Sequence, residues 1–142
     1  MTSRIGRAFA LVRRVASTAA VTVLAVLVVG ATAQASEEWL TDYDEALAES
    51  TRSGKPVLTL FTGSDWCPHC RTLEERVFST SEFESWSQEH VVLLMLDLPE
   101  SGISPALRSE RSRICLKYGV RTFPSVLILD SFGEKITEEK GY

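Results

Sequence analysis

Two cysteines three residues apart, in the run Trp66-Cys67-Pro68-His69-Cys70, are the best-placed reactive groups in this 142-residue chain. At that spacing the thiols can close into a small disulfide and open again. An apolar strand pattern precedes them and a helical pattern follows, so the pair sits at a helix N-terminus. Unpaired backbone N–H groups and the positive end of the helix dipole favour anionic sulfur there. Thiolate is the form that attacks disulfides and binds metal. Zinc needs four ligands, and the chain has neither a second Cys-x-x-Cys nor paired histidines at ligand spacing. Haem attachment needs a histidine directly after Cys70, where Arg71 stands. The pattern points to reversible thiol–disulfide exchange, with no cofactor and no resident metal. A structural disulfide in a binding or chaperone module, or a thiolate metallochaperone, are the alternatives.

The remaining candidates read more plainly. Cys115 falls at helical spacing with Leu107, Arg111 and Tyr118 and is expected to be a small buried hydrophobe. His69 lies between the two sulfurs, where it can stabilise a thiolate. His90 stands just before a strand pattern and reads as a loop residue. Trp39 and Trp86 read as packing residues.

The elements that must hold the cysteines follow from periodicity. Residues 39–52 form an amphipathic helix with Tyr43, Ala46 and Leu47 on one face, closed by Ser53-Gly54-Lys55-Pro56. Residues 57–61, Val-Leu-Thr-Leu-Phe, are a strand covered on both faces. A helix starts near Cys67 and breaks at Ser79-Thr80-Ser81, and a second piece spans 82–88. Residues 91–97 are another buried strand and 98–104 a loop. A helix opens at Pro105 or Ala106 and closes at Gly119. A third strand covers 125–130, residues 131–134 make a hairpin turn, and 135–137 form a short edge strand. This order specifies an α/β domain whose early strands are parallel.

Residues 1–35 stand apart. Arg4, Arg7, Arg13 and Arg14 precede an apolar run from Val15 to Gly30, and Ala33-Gln34-Ala35 has the small-x-small pattern of a signal-peptidase site. We expect a cleaved signal peptide at 1–35 and a domain at 36–142, hence a periplasmic or extracellular protein. The alternative is an uncleaved membrane anchor over residues 15–33, close to the ~20 residues that span a bilayer. The leader holds four of the 15 basic residues and none of the 19 acidic ones, so residues 36–142 carry a net charge of −8. That balance excludes nucleic-acid binding, which needs a basic footprint. Three cysteines are too few for a disulfide-stapled mini-domain.

With the strand–turn–helix around Trp66-Cys67-Pro68-His69-Cys70, and Thr122-Phe123-Pro124 before the third strand, the chain resembles the thioredoxin superfamily. Gly54-Lys55-Pro56-Val57 and Phe61-Thr62-Gly63-Ser64-Asp65 are similar to small exported thioredoxin-like proteins and to the periplasmic C-terminal domain of the disulfide reductase DsbD. The resemblance implies a thioredoxin fold, a central mixed sheet flanked by helices, over about residues 39–142. It implies that Cys67, the more exposed sulfur, attacks and that Cys70 resolves the mixed disulfide. Pro124 would be a cis-proline facing substrate together with Phe123, and Trp66 would flank the site. Pro68-His69 matches the dipeptide of the oxidant DsbA and so leans toward an oxidising potential. The implied partners are cysteine-containing envelope or secreted proteins and a redox protein that recharges the site.

Three departures stand out. The family's buried acid would fall at Phe61 or Leu60, and neither is acidic. Glu74, one helical turn beyond Cys70, matches a glutamate of the DsbD domain and is expected to tune the pair in its place. The family's final C-terminal helix is missing after Gly141-Tyr142, which would leave one sheet face thinly covered. Phe123 stands where thioredoxins commonly carry a small β-branched residue.

Overall fold

The computed structural model describes residues 39–142; the leader and its cleavage site lie outside the described residues. β1 (Val57–Thr62) is buried along its whole length, as its apolar run requires. It pairs in parallel with β2 (Val92–Asp97), with Val57 opposite Val92 and Thr62 opposite Asp97. On its other edge it pairs antiparallel with β3 (Ser125–Leu129), with Phe61 opposite Ser125. β4 (Lys135–Lys140) runs antiparallel to β3, which gives the order β2-β1-β3-β4. This is the mixed sheet that the resemblance implies.

Helix ends follow local chemistry. Asp42 caps α1 (Tyr43–Ser53) by accepting from the Glu45 N–H at 2.8 Å, and Gly54 ends it in the left-handed region at φ 73°. The helix therefore starts four residues later than its periodicity suggests. The preceding residues go to the sheet instead: Leu40 bridges Leu94, donating to the Leu93 carbonyl and accepting from the Met95 N–H. α2 (Pro68–Leu73) has proline at its start and passes into a π-helical turn, Glu74–Phe78. Thr80 then caps α3 (Ser81–His90), so His90 ends a helix and is not a loop residue. α4 (Pro105–Tyr118) runs from a Ser104 cap to a left-handed Gly119.

One core cluster joins Val57, Phe61, Val92, Leu94, Leu96, Leu127 and Leu129 of the sheet to Ala46 of α1 and Ile114, Cys115 and Tyr118 of α4. The alternate strand residues form a smaller cluster, in which Leu58, Val91 and Leu93 meet Trp39 and Phe83 while Val126 and Ile128 remain half-buried. Trp39 packs there as expected, but Trp86 is 43% exposed and stacks on His90. β4 extends three residues beyond the expected edge strand because Glu138, Glu139 and Lys140 pair with β3. No helix follows it among the described residues, and none of the described helices is long and apolar enough to cross a membrane.

Candidate active site

The site lies where β1 gives way to α2. Gly63 takes the chain into a tight turn, its carbonyl accepting from the Cys67 N–H at 2.9 Å. A side chain at Gly63 would overlap the Trp66 indole, so glycine is required by close approach. Cys67 has extended backbone (φ −97°) and caps α2 itself, its Sγ accepting from the Cys70 N–H at 3.2 Å. Cys67 and Cys70 form a disulfide across this first turn, with Cα atoms 5.3 Å apart.

The structure corrects one expectation about this pair. Cys67 is no more exposed than Cys70, at 3% and 4% respectively. The Cys67 sulfur is turned in toward Cys70 and its N–H, and solvent meets Trp66, Pro68 and His69 instead.

Just before β3, the Phe123-Pro124 peptide bond is cis and Pro124 is fully buried. Phe123 is half-buried and meets Trp66 edge to face, with ring centroids 5.5 Å apart. Phe123, just before β3, thus reaches Trp66, the neighbour of Cys67. Glu74 is exposed at the start of the π-helical turn, and its side chain makes no hydrogen bond or ion pair among the described residues. The positions of the family's acid, Leu60 and Phe61, are buried and apolar. Among the described residues, the buried polar ones are Ser50, Thr59, Thr62, Ser87, Arg111 and Ser125, with no carboxylate among them.

Several residues that sequence reasoning left aside organise the surroundings. The Asp97 carboxylate accepts from the Ser64 N–H (2.9 Å) and hydroxyl (2.6 Å). The Asp65 carboxylate accepts from the Glu100 N–H (2.9 Å) and from the Ser101 N–H (3.2 Å) and hydroxyl (3.3 Å). The Glu100 N–H, more than any other group, holds Asp65 below the usual carboxylate range. The Trp66 indole N–H donates to the Leu98 carbonyl at 2.9 Å. From α4, Arg108 donates to the Pro99 carbonyl and buried Arg111 to the Asp97 carbonyl, both at 2.5 Å. The sequence signal was Arg111 on the Cys115 face of its helix, a cation in an apolar register that needs a local acceptor. Among the described residues, no group of three or more His, Cys, Asp or Glu side chains could hold a metal ion.

Comparison with known proteins agrees with this geometry. Residues 43–142 match the family model described as a thioredoxin-like domain. The disulfide bond reductase DsbH of Chlamydia pneumoniae is 30% identical over 105 residues, which are 73% of this chain and 63% of that protein. The chain therefore spans less than two thirds of this curated relative. A solved structure of a DsbH oxidoreductase superposes with a TM-score of 0.68 at 28% identity, over 74% of this chain and 73% of the other. The oxidised C-terminal domain of DsbD from Neisseria meningitidis shares the fold, with a TM-score of 0.56 at 19% identity, over 74% and 88% of the two chains.

Proposed function

This chain belongs to the thioredoxin-like domain family, and on that premise we propose that it is an exported thiol–disulfide oxidoreductase acting on cysteines of envelope or secreted proteins. The observation that carries the reading is the Cys67–Cys70 disulfide across the first turn of α2, next to Trp66, whose ring meets Phe123. Export rests on the leader, with residues 1–35 removed and the domain beginning at Ser36. Edman sequencing of the exported protein is expected to begin at Ser36; an intact leader would leave the domain anchored to a membrane.

In the reducing direction the Cys67 thiolate attacks one sulfur of a substrate disulfide. A Cys67–substrate disulfide forms, and the other substrate sulfur leaves as thiolate and takes up a proton. The Cys70 thiol, losing its proton, then attacks the Cys67 sulfur. The Cys67–Cys70 bond closes, the second substrate thiolate departs, and two electrons have passed to the substrate. The Cys70 N–H is placed to hydrogen-bond the Cys67 sulfur and favours its anionic state. Trp66, Pro68 and His69 tune the pair, and Phe123 and Pro124 face the substrate. Because no carboxylate is buried at the family's position, the Cys70 proton passes to solvent or to the departing substrate thiolate.

The reductase named among the relatives supports this direction. Pro68-His69 supports the reverse one, since a histidine between the cysteines stabilises thiolate and makes the disulfide more oxidising. Equilibration with glutathione decides between them. A potential near ~−270 mV is expected for a reductase, and one near ~−120 mV would make the protein an oxidase. A value below ~−300 mV would mark a structural disulfide and overturn the proposal. Cys70→Ser is expected to accumulate mixed disulfides through Cys67, visible as dithiothreitol-sensitive adducts on a non-reducing gel.

A further inference from the structure

Resting on the oxidoreductase reading, we propose that Asp65 is a positioning residue: it ties the turn before the cysteines to residues 98–104 and so holds Trp66 as a substrate-facing wall. Each of the three residues before Cys67 is bonded to the chain that leaves β2. Ser64 donates to Asp97, Asp65 accepts from Glu100 and Ser101, and Trp66 donates to the Leu98 carbonyl. The bonds run in both directions, so neither segment can slide without breaking donors and acceptors together.

The two sides of residues 98–104 are held differently. Their carbonyl side is fixed by α4, with Arg108 on the Pro99 and Glu100 carbonyls. Arg111 fixes the Asp97 carbonyl just before them. The N–H side at Glu100 and Ser101 is held by the Asp65 carboxylate. Glu100, Ser101 and Gly102 are exposed, with Gly102 in the left-handed region at φ 76°. Without Asp65 this tip has water as its partner.

The orientation of Trp66 depends on this tip because its indole N–H is bonded to Leu98, at the root of the same segment. Trp66 is 40% exposed, directly precedes Cys67 and meets Phe123 edge to face, so its position sets one side of the approach to the sulfurs. The Asp65 bonds lie at the surface, where hydrogen bonds contribute little net stability. Three acceptor contacts converging on one exposed carboxylate are therefore better explained by positioning than by holding the fold together.

The test measures disulfide exchange and amide exchange on the full-length protein. In Asp65→Ala, hydrogen exchange at the Glu100 and Ser101 amides is expected to rise about tenfold, as local opening there loses its restraint. KM for insulin, a protein disulfide large enough to lie against Trp66, is expected to rise about fivefold with kcat unchanged. The rate with dithiothreitol, too small to span from the sulfur to the indole, is expected to stay within about twofold. Asp65→Asn keeps one acceptor oxygen without the charge and is expected to recover most of the insulin KM. An unchanged insulin KM in Asp65→Ala would overturn the positioning role. So would a parallel fall in the dithiothreitol rate, which would place the effect on the sulfur itself. Wild-type protein inert toward both reagents would refute the oxidoreductase reading and the positioning role with it. An active wild type with an unaltered Asp65→Ala refutes the positioning role alone.

Discussion

The molecule holds cysteine in two regions, at the turn between β1 and α2 and beneath α4, and the two are built from different interactions. Cys115 is packed among Ile114, Tyr118 and the sheet residues of the larger core, and burial pushes its thiol up from its ordinary value. Cys67 and Cys70 are equally enclosed by surface area, but their surroundings are hydrogen-bonded turns: the Gly63 carbonyl, the Cys70 N–H and the Ser64–Trp66 links to the chain beyond β2. Burial alone therefore does not separate a structural cysteine from a reactive one. What differs is whether the sulfur caps the start of a helix or lies inside an apolar cluster.

The sharpest break of this contrast is a pair of single substitutions assayed for insulin reduction. Cys67→Ser is expected to abolish turnover, because no other thiol is placed to begin exchange. Cys115→Ala, which removes a sulfur of similar burial, is expected to keep full activity and to lose only part of its packing. Activity surviving in Cys67→Ser, or lost in Cys115→Ala, would reverse the assignment of the two regions.

A second contrast lies along β3, whose residues alternate between the two clusters. Leu127 is fully buried in the larger cluster, and its neighbour Val126 is half-buried on the other side. Leu127→Ala is expected to cost about 2–5 kcal/mol in urea unfolding, the range for a leucine truncated in a closed core. Val126→Ala is expected to cost about 1 kcal/mol or less, since its site is already partly open to water. Equal costs would mean that the face carrying Val126 and Ile128 is as tightly closed as the one beneath α4.

How far these regions can be read from the sequence depends on the range of the interactions that make them. β1, β2 and β3 are visible because long apolar runs need only their own side chains to signal burial. α4 is visible because Ser104, Pro105 and Gly119 mark its ends locally. The disulfide's setting is legible for the same reason, since the cap, the proline and both cysteines lie within four residues. The extension of β4 through Glu138–Lys140 is not, because an edge strand that is polar on both sides has no apolar alternation. The π-helical turn, which ends in a bond from the Ser79 N–H to the Glu74 carbonyl, five residues apart, is hidden within an ordinary helical pattern. The Asp65 tether joins residues 35 and 36 positions apart, so no local pattern could announce it. The burial of Cys67 depends on which way its sulfur turns when the bridge closes, and spacing does not specify that.

The last contrast concerns pH and separates the two regions through their protons. In the oxidised protein Cys67 and Cys70 carry none, so the turn at α2 contributes no thiol titration. Beneath α4 two groups keep their protons on folding. Burial raises Cys115 from its ordinary value of 9.0. Burial first, and then the hydrogen bond with Tyr43, raises Tyr118 from 10.0. The unfolded chain releases these protons at lower pH than the folded one, so the unfolded state binds fewer of them and stability must fall as pH rises. The contribution is complete below pH 9.0, where both groups are protonated in either state, and it declines above that value. The limiting slope is about 1.4 kcal/mol per pH unit for each group. Unfolding midpoints in urea, taken on oxidised protein from about pH 8 to about pH 10.5, are expected to decrease, and the decrease is expected to flatten in Cys115→Ala and further in Cys115→Ala with Tyr118→Phe. A profile just as steep in the double variant would place the alkaline lability outside the α4 core, and the two sulfur regions would then no longer differ in their protons.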